Sequence, residues 1–173
     1  MAVRMSVDDF HRTSVERGAR GLMAEAYLDD TFELGAFTAS LVAFRNGAGR
    51  LVTGVHDIST DVPRERLSPV PETAVLVVDG VFLLRRELFE LWDLRIYVHV
   101  PEAITLAGVK VRDLAVFGST TIVESRYRSK YLPGQTLYRA RERPIEGADL
   151  VLDNTDPNSI RVIQDRARIM GSN

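Results

Sequence analysis

The stretch Ala74-Val75-Leu76-Val77-Val78-Asp79-Gly80-Val81-Phe82-Leu83-Leu84 decides how this chain folds. An unbroken apolar run closes at an Asp-Gly pair. A strand over 74–78 without one polar residue is expected to be covered on both faces, as strands of parallel sheets are. Asp79-Gly80 then turns the chain out of the sheet. Downstream, Leu84, Leu88 and Leu91 share one side of a short helix predicted over 85–92, and 94–100 reads as a second buried strand. Buried strands alternating with helices imply a parallel sheet with right-handed crossovers. Ligands of such sheets bind beyond the C-terminal strand ends, where Asp79 stands.

Working outward, residues 2–7 predict a short strand, with Asp8 and Asp9 at its C-terminal end. Residues 11–31 are rich in Arg and Gly with weak periodicity and predict mostly loop. Phe32, Ala36, Phe37, Leu41 and Phe44 recur at helical spacing, and Asn46-Gly47-Ala48-Gly49 ends that helix in a turn. Residues 51–55 predict a strand, and Pro63, Pro69 and Pro71 mark 59–72 as connecting loop. Pro101 opens a helix that reaches about residue 117 and stops at Gly118. Thr121 and Glu124 have the spacing of a capping box for a further helix, broken near Pro133-Gly134. A strand over 149–152 ends in Asp153-Asn154. Residues 160–163 predict an edge strand, and the tail from Gln164 reads as frayed or helical. No repeat or domain boundary interrupts the chain, so one domain over residues 1–173 is expected.

Bulk properties exclude several classes. The 173 residues carry a net charge of −2, which gives no general attraction to nucleic acid or anionic membrane. No apolar run approaches the roughly 18 residues of a membrane span. Nothing resembles a signal peptide, and the absence of cysteine removes disulfides and thiolate metal sites. A reducing cytoplasm is the compartment this composition fits. Nearly all the basic residues are arginine, the side chain suited to bidentate contact with phosphate or carboxylate, though a high-GC genome gives the same bias.

Candidate chemistry gathers at strand ends. Asp8, Asp79 and Asp153 each follow a predicted strand, and their convergence on one rim is the central expectation. Asp79 is placed to hold Mg²⁺, directly or through water, or simply closes a buried strand. In Asp8-Asp9-Phe10-His11 one carboxylate can serve as general base and His11 can assist or bind substrate; the alternative is a helix cap with a solvated acid. His99 lies inside a strand and reads as structural. Arg112, Arg126 and Arg128, followed by Arg139, Arg141 and Arg143, are either phosphate clamps or a solvated helical face. Tyr127, Tyr131 and Tyr138 are spaced as a core stripe. Gly47-Ala48-Gly49 follows a helix, whereas a phosphate cradle follows a strand, so it reads as a turn. Nothing in the chain matches G-x-x-x-x-G-K-[ST], and neither lysine, Lys110 or Lys130, follows a glycine.

Together these segments resemble the uridine kinase and phosphoribulokinase-like nucleoside kinases, especially a bacterial uridine kinase-like group. The resemblance rests on Ser6-Val7-Asp8-Asp9-Phe10-His11-Arg12, on Val75 to Leu84, and on Leu88 with Trp92-Asp93-Leu94-Arg95. It continues through Arg112-Asp113, Arg126-Tyr127, Tyr131-Leu132-Pro133-Gly134-Gln135, Leu137-Tyr138 and Ala148 to Asn154. It implies an α/β fold: a three-layer P-loop-kinase-like parallel sheet flanked by helices, with a lid at about 112–143. It implies transfer of the ATP γ-phosphoryl group to a nucleoside 5′-hydroxyl, with ATP and Mg²⁺ as cofactors and uridine or cytidine, hence pyrimidine salvage, as the setting. Asp8 resembles the base, Asp79 the Mg²⁺ carboxylate, and Arg112 and Arg126, with Arg128, the lid arginines. Tyr27 and Asp30 fall in the nucleoside-binding region. His56 stands where eukaryotic-type relatives carry a base-contacting tyrosine, and Asp61 where a second contact residue follows, so the acceptor is a nucleoside or a similar small metabolite.

The departure is at the front. Relative to the family the first strand–P-loop–helix unit is missing, on the order of 30 residues. Its loss is expected to leave two strands unpaired and apolar edge exposed. A fragment, a start placed too late, and a degenerate relative that pairs with another chain, as in a homo-oligomer, are the three explanations. Without the loop's N–H groups and lysine, catalysis is expected to be weak or absent. A non-catalytic pseudokinase or nucleoside-binding protein is the alternative from a different class.

Overall fold

In the computed structural model, residues 1–21 and 23–166 are described, and the chain falls into two units, Met1–Leu83 and Leu84–Asn173. Among the described residues the first holds two two-stranded sheets and the second one three-stranded sheet, each with helices.

The first unit runs β1 (Ala2–Ser6), a 3-10 turn (Val7–Phe10), α1 (Ser14–Arg20), α2 (Ala24–Asp29), α3 (Leu34–Arg45), β2 (Arg50–Asp57), β3 (Val62–Pro69) and β4 (Val75–Asp79). β1 and β4 pair in parallel, from Ala2 opposite Val75 to Ser6 opposite Asp79. Side chains alternate between the faces of this ladder. Val3 and Met5 point into the core, whereas Val75 and Val77 are 63% and 48% exposed. The expected cover on both faces of 74–78 is therefore not found. Among the described residues β4 has a ladder on one side only, to β1, and its outer valines share a face with exposed Ala2 and Arg4. The core is built instead on Phe10 and Phe37, both fully buried, with ring centroids 5.2 Å apart edge to face.

Two further expectations are corrected here. Residues 11–31 hold α1 and α2 rather than loop. Thr13 caps α1, accepting the Glu16 N–H, while the Glu16 carboxylate accepts the Thr13 N–H at 2.9 Å. No residue of α1 is buried, so its sequence carries no apolar stripe to read. Residues 59–72 hold β3, which pairs antiparallel with β2. Pro63 and Pro69 lie near its two ends, and an almost fully exposed edge strand tolerates the missing donors.

The second unit runs from a 3-10 turn (Arg86–Leu91) through β5 (Ile96–His99), α4 (Glu102–Arg112), α5 (Leu114–Phe117), α6 (Thr120–Arg126), a π-helical turn (Tyr127–Tyr131), α7 (Leu132–Glu142), α8 (Pro144–Gly147), β6 (Leu150–Asp153) and β7 (Arg161–Asp165). β5 is parallel to β6, and β7 closes the sheet antiparallel as the expected edge strand. β5, like β4, is paired on one side only among the described residues, and its Ile96 and Val98 are 46% and 51% exposed. Among the described residues β4 and β5 thus each combine a ladder on one side only with exposed apolar side chains. The architecture is α/β, with parallel strands flanked by helices, as expected.

The helices differ in detail. The segment 101–117 is not one helix, because Asp113 leaves helical geometry (φ −94°, ψ 0°) between α4 and α5. Ser119, not Thr121, caps α6, accepting the Ile122 N–H at 3.3 Å. The chain does not break at Pro133-Gly134. Pro133 falls in the first turn of α7, where its missing N–H costs little, and the π turn before it carries the helix through. Val109, Val123, Tyr127 and Leu132 form the buried centre of this helical layer. The tail beyond residue 166, expected to be frayed or helical, lies outside the described residues.

Candidate active site

Ser6 organises the strand-end site of the first unit. Its hydroxyl donates to Asp79 Oδ2 at 3.1 Å and accepts the Asp8 N–H at 3.3 Å. The two acids singled out from sequence therefore sit at adjacent ends of parallel strands, tied through one side chain. Gly80 permits this closeness. It has φ +143°, and a Cβ there would meet Val7 Cγ1 at 2.2 Å. Only glycine fits that backbone and that gap.

The twin aspartates divide. Asp9 pairs with Arg66 of β3 across Gly54, where a Cβ would stand 2.8 Å from Arg66 Nη2 and 2.9 Å from Asp9 Cβ. Asp8 keeps a side chain that is 55% exposed. A carboxylate open to solvent at a strand end can accept a proton from a hydroxyl brought against it.

His11 Nδ1 lies 2.7 Å from the Asp8 carbonyl, and its ring meets Phe32 edge-on at 4.6 Å. A carbonyl only accepts, so Nδ1 carries the proton and Nε2 is the acceptor in the neutral ring. Burial lowers the His11 pKa, with the Asp8 carbonyl and carboxylate pulling the other way. His56 is buried, and its Nε2 contacts Asp61 Oδ1 at 3.1 Å. Asp61 also accepts the Ser14 N–H at 3.0 Å, and the Ser14 hydroxyl with its neighbours holds the Asp61 carboxyl below its ordinary pKa. His56 Nδ1 is buried without a hydrogen-bond partner. The two residues matched from sequence to base-contacting positions thus touch each other. Tyr27 is buried against Phe82, ring centroids 5.0 Å apart. Phe82 itself has φ +62°, a strained value for a bulky side chain. Asp30 accepts from Arg20 at 3.2 Å.

The arginines expected to form a lid belong to the second unit, and most are already engaged. Arg112 forks onto Asp113 and reaches Tyr127 Oη. Arg126 Cζ lies 4.8 Å from the Phe117 ring centroid. Arg128 pairs with Glu124 at 2.8 Å, and Arg139 with Glu102 at 2.6 Å. Asp153, the third acid of the expected rim, accepts from Thr155 and from Arg161 at 2.5 Å, which brings its pKa down to about 2. Ser6 and Asp113 were given no site role from sequence, and Tyr127 was read as part of a core stripe. A cap signal at Ser6, with Asp9 three residues on, was readable.

A Mg²⁺ ion fits Asp79 only in a limited sense. Among the described residues no group of three or more His, Asp or Glu side chains gathers. Mg²⁺ commonly keeps several waters and takes one or two carboxylates beside substrate phosphates, so Asp79 alone suffices as the protein ligand.

These elements define an α/β fold. Solved structures similar to this chain include a possible uridine kinase from Bacillus stearothermophilus, 19% identical with a TM-score of 0.66, covering 87% of this chain and 71% of that one. A candidate fructose transport system kinase from Silicibacter sp. TM1040 is 24% identical, TM-score 0.64, with coverage of 85% and 70%. Phosphoribulokinase from Rhodobacter spheroides is 17% identical, TM-score 0.57, with coverage of 88% and 60%. The chain has the fold of the uridine kinase and phosphoribulokinase-like P-loop kinases. No protein-family model matches it, and no curated relative does. Among the described residues no helix is long and apolar enough to cross a membrane.

Proposed function

We propose that this chain is the acceptor-side body of a nucleoside kinase-like phosphotransferase. Its reaction is transfer of the ATP γ-phosphoryl group to the 5′-hydroxyl of a pyrimidine nucleoside or a similar small metabolite. The observation that carries this reading is the Ser6 bridge between Asp8 and Asp79 at the ends of adjacent parallel strands. Asp8 accepts the proton of the attacking hydroxyl. Asp79 is the carboxylate for Mg²⁺, whose chemistry when bound is to draw charge from the phosphates. His11, Tyr27, Asp30 and His56 form the acceptor side, with Asp61 holding His56. Arg112, Arg126 and Arg128 form the lid side. Transfer by the 173 residues is weak, because they contain no G-x-x-x-x-G-K-[ST] loop to cradle the phosphates.

The test is ATP consumption with uridine and with cytidine. Turnover near 1 s⁻¹, about the low end for ordinary enzymes, overturns the claim of weak transfer. The same missing loop favours a second reading, a nucleoside-binding module without catalysis. Thermal shift separates the two. Stabilisation by nucleoside but not by Mg-ATP supports the module, and stabilisation by both supports the enzyme.

A further inference from the structure

Arg112 is held on one side and open on the other. Its Nε–H donates to Asp113 Oδ1 at 2.6 Å, and Nη2 donates to Asp113 Oδ2 at 3.1 Å and to Tyr127 Oη at 3.0 Å. The Tyr127 hydroxyl in turn donates to Asp113 Oδ2 at 2.9 Å. A guanidinium has five N–H groups, so the pair on Nη1 remains without a partner among the described residues. Burial follows the same division. The Asp113 side chain is 14% exposed and Tyr127 lies in the helical core, but the Arg112 side chain is 71% exposed.

Two local features make this arrangement rather than a passing surface pair. Asp113 occupies the break between α4 and α5, where the chain leaves helical geometry. Tyr127 opens the π-helical turn, a distortion that frequently marks functional positions. Burial first, then the bond to Asp113, push Tyr127 up to about 12, so its hydroxyl proton stays in place at any working pH.

We propose that Asp113 and Tyr127 are positioning residues that clamp the Nε–Nη2 side of Arg112, so that its Nη1 edge is presented to a phosphoryl oxygen of a polyphosphate. This rests on the reading of Arg112 as a phosphate ligand. A guanidinium fixed beforehand has less freedom to lose when the anion arrives. Lysine cannot be held by such a fork and cannot replace it.

The test titrates tripolyphosphate into the full chain by calorimetry, alongside R112K, Y127F and the charge-conserving D113E. In parallel, the Arg112 Nε–H resonance is followed by NMR, identified by its loss in R112K. Wild type is expected to bind and to show a sharp, slowly exchanging Nε–H signal. Y127F and D113E are expected to broaden that signal and weaken binding roughly three- to ten-fold, R112K more. If Y127F does not fold, D113E decides alone. Weakening by R112K with unchanged binding in Y127F and D113E overturns the positioning role and leaves Arg112 as a phosphate ligand. Unchanged binding in R112K, or no binding by wild type, overturns the phosphate role and the inference with it.

Discussion

The Ser6 hydroxyl donates to Asp79 Oδ2 at 3.1 Å from the directly opposed position of a parallel ladder. The same oxygen caps the turn that carries Asp8. One small side chain therefore ties the Asp8 backbone to the Asp79 carboxylate, the residues proposed as base and metal ligand.

Ser6→Ala removes both bonds at once. The loss is expected to lower unfolding free energy by about 1 kcal/mol, the usual cost of an N-cap. Urea denaturation measures it. In a double-mutant cycle with Asp79→Asn the two losses are expected to fall short of additivity, as they do for residues sharing a bond. Strict additivity would mean that the Ser6–Asp79 bond contributes nothing.

Asp8 and Asp9 should behave differently in transfer. With radiolabelled ATP and uridine, Asp8→Asn is expected to lower whatever transfer is measured by roughly 10²- to 10⁴-fold, the range for a general base. Asp9→Asn loses only its ion pair with half-exposed Arg66, worth at most about 1 kcal/mol. Equal losses in the two variants would remove Asp8 from its assigned role.

Gly80→Ala forces a methyl group onto Val7 at a φ of +143°. A destabilisation of about 2–4 kcal/mol is expected from the overlap and backbone strain together. A denaturation midpoint within error of wild type would show that the turn at Gly80 can relax without cost.

His11 gives the first unit a pH signature. Its folded pKa lies below the ordinary 6.5, chiefly through burial. Between those two values the unfolded chain binds the proton more readily than the folded one. The His11 contribution is thus complete above 6.5 and is lost as pH falls through 6.5 towards the folded pKa. Denaturation midpoints at pH 7.5 and 5.5 measure the drop, and His11→Asn should reduce it. An identical drop in that variant would assign the effect elsewhere.

Much of the strand framework was legible because apolar runs such as 75–78 and 150–152 leave few alternatives. The pairing of Asp8 with Asp79 followed from the rule that parallel strands end on one side. What escaped notice was held by caps and pairs rather than by burial. α1 rests on the Thr13–Glu16 box, and β3 is an exposed strand whose prolines mimic a loop. The engaged state of Arg112 was equally hidden, since its place next to Asp113 in sequence does not say that a tyrosine fourteen residues after Asp113 joins them. The double cover expected for 74–78 failed because composition reports what a strand prefers, not what its surroundings provide.

The side of β4 away from β1 governs how a purified sample will behave. Among the described residues β4 is laddered to β1 alone and exposes Val75 and Val77, and a strand side without a ladder is a template onto which an extended chain can pair. Concentrated stocks should scatter light and bind hydrophobic dyes unless something extended occupies that row.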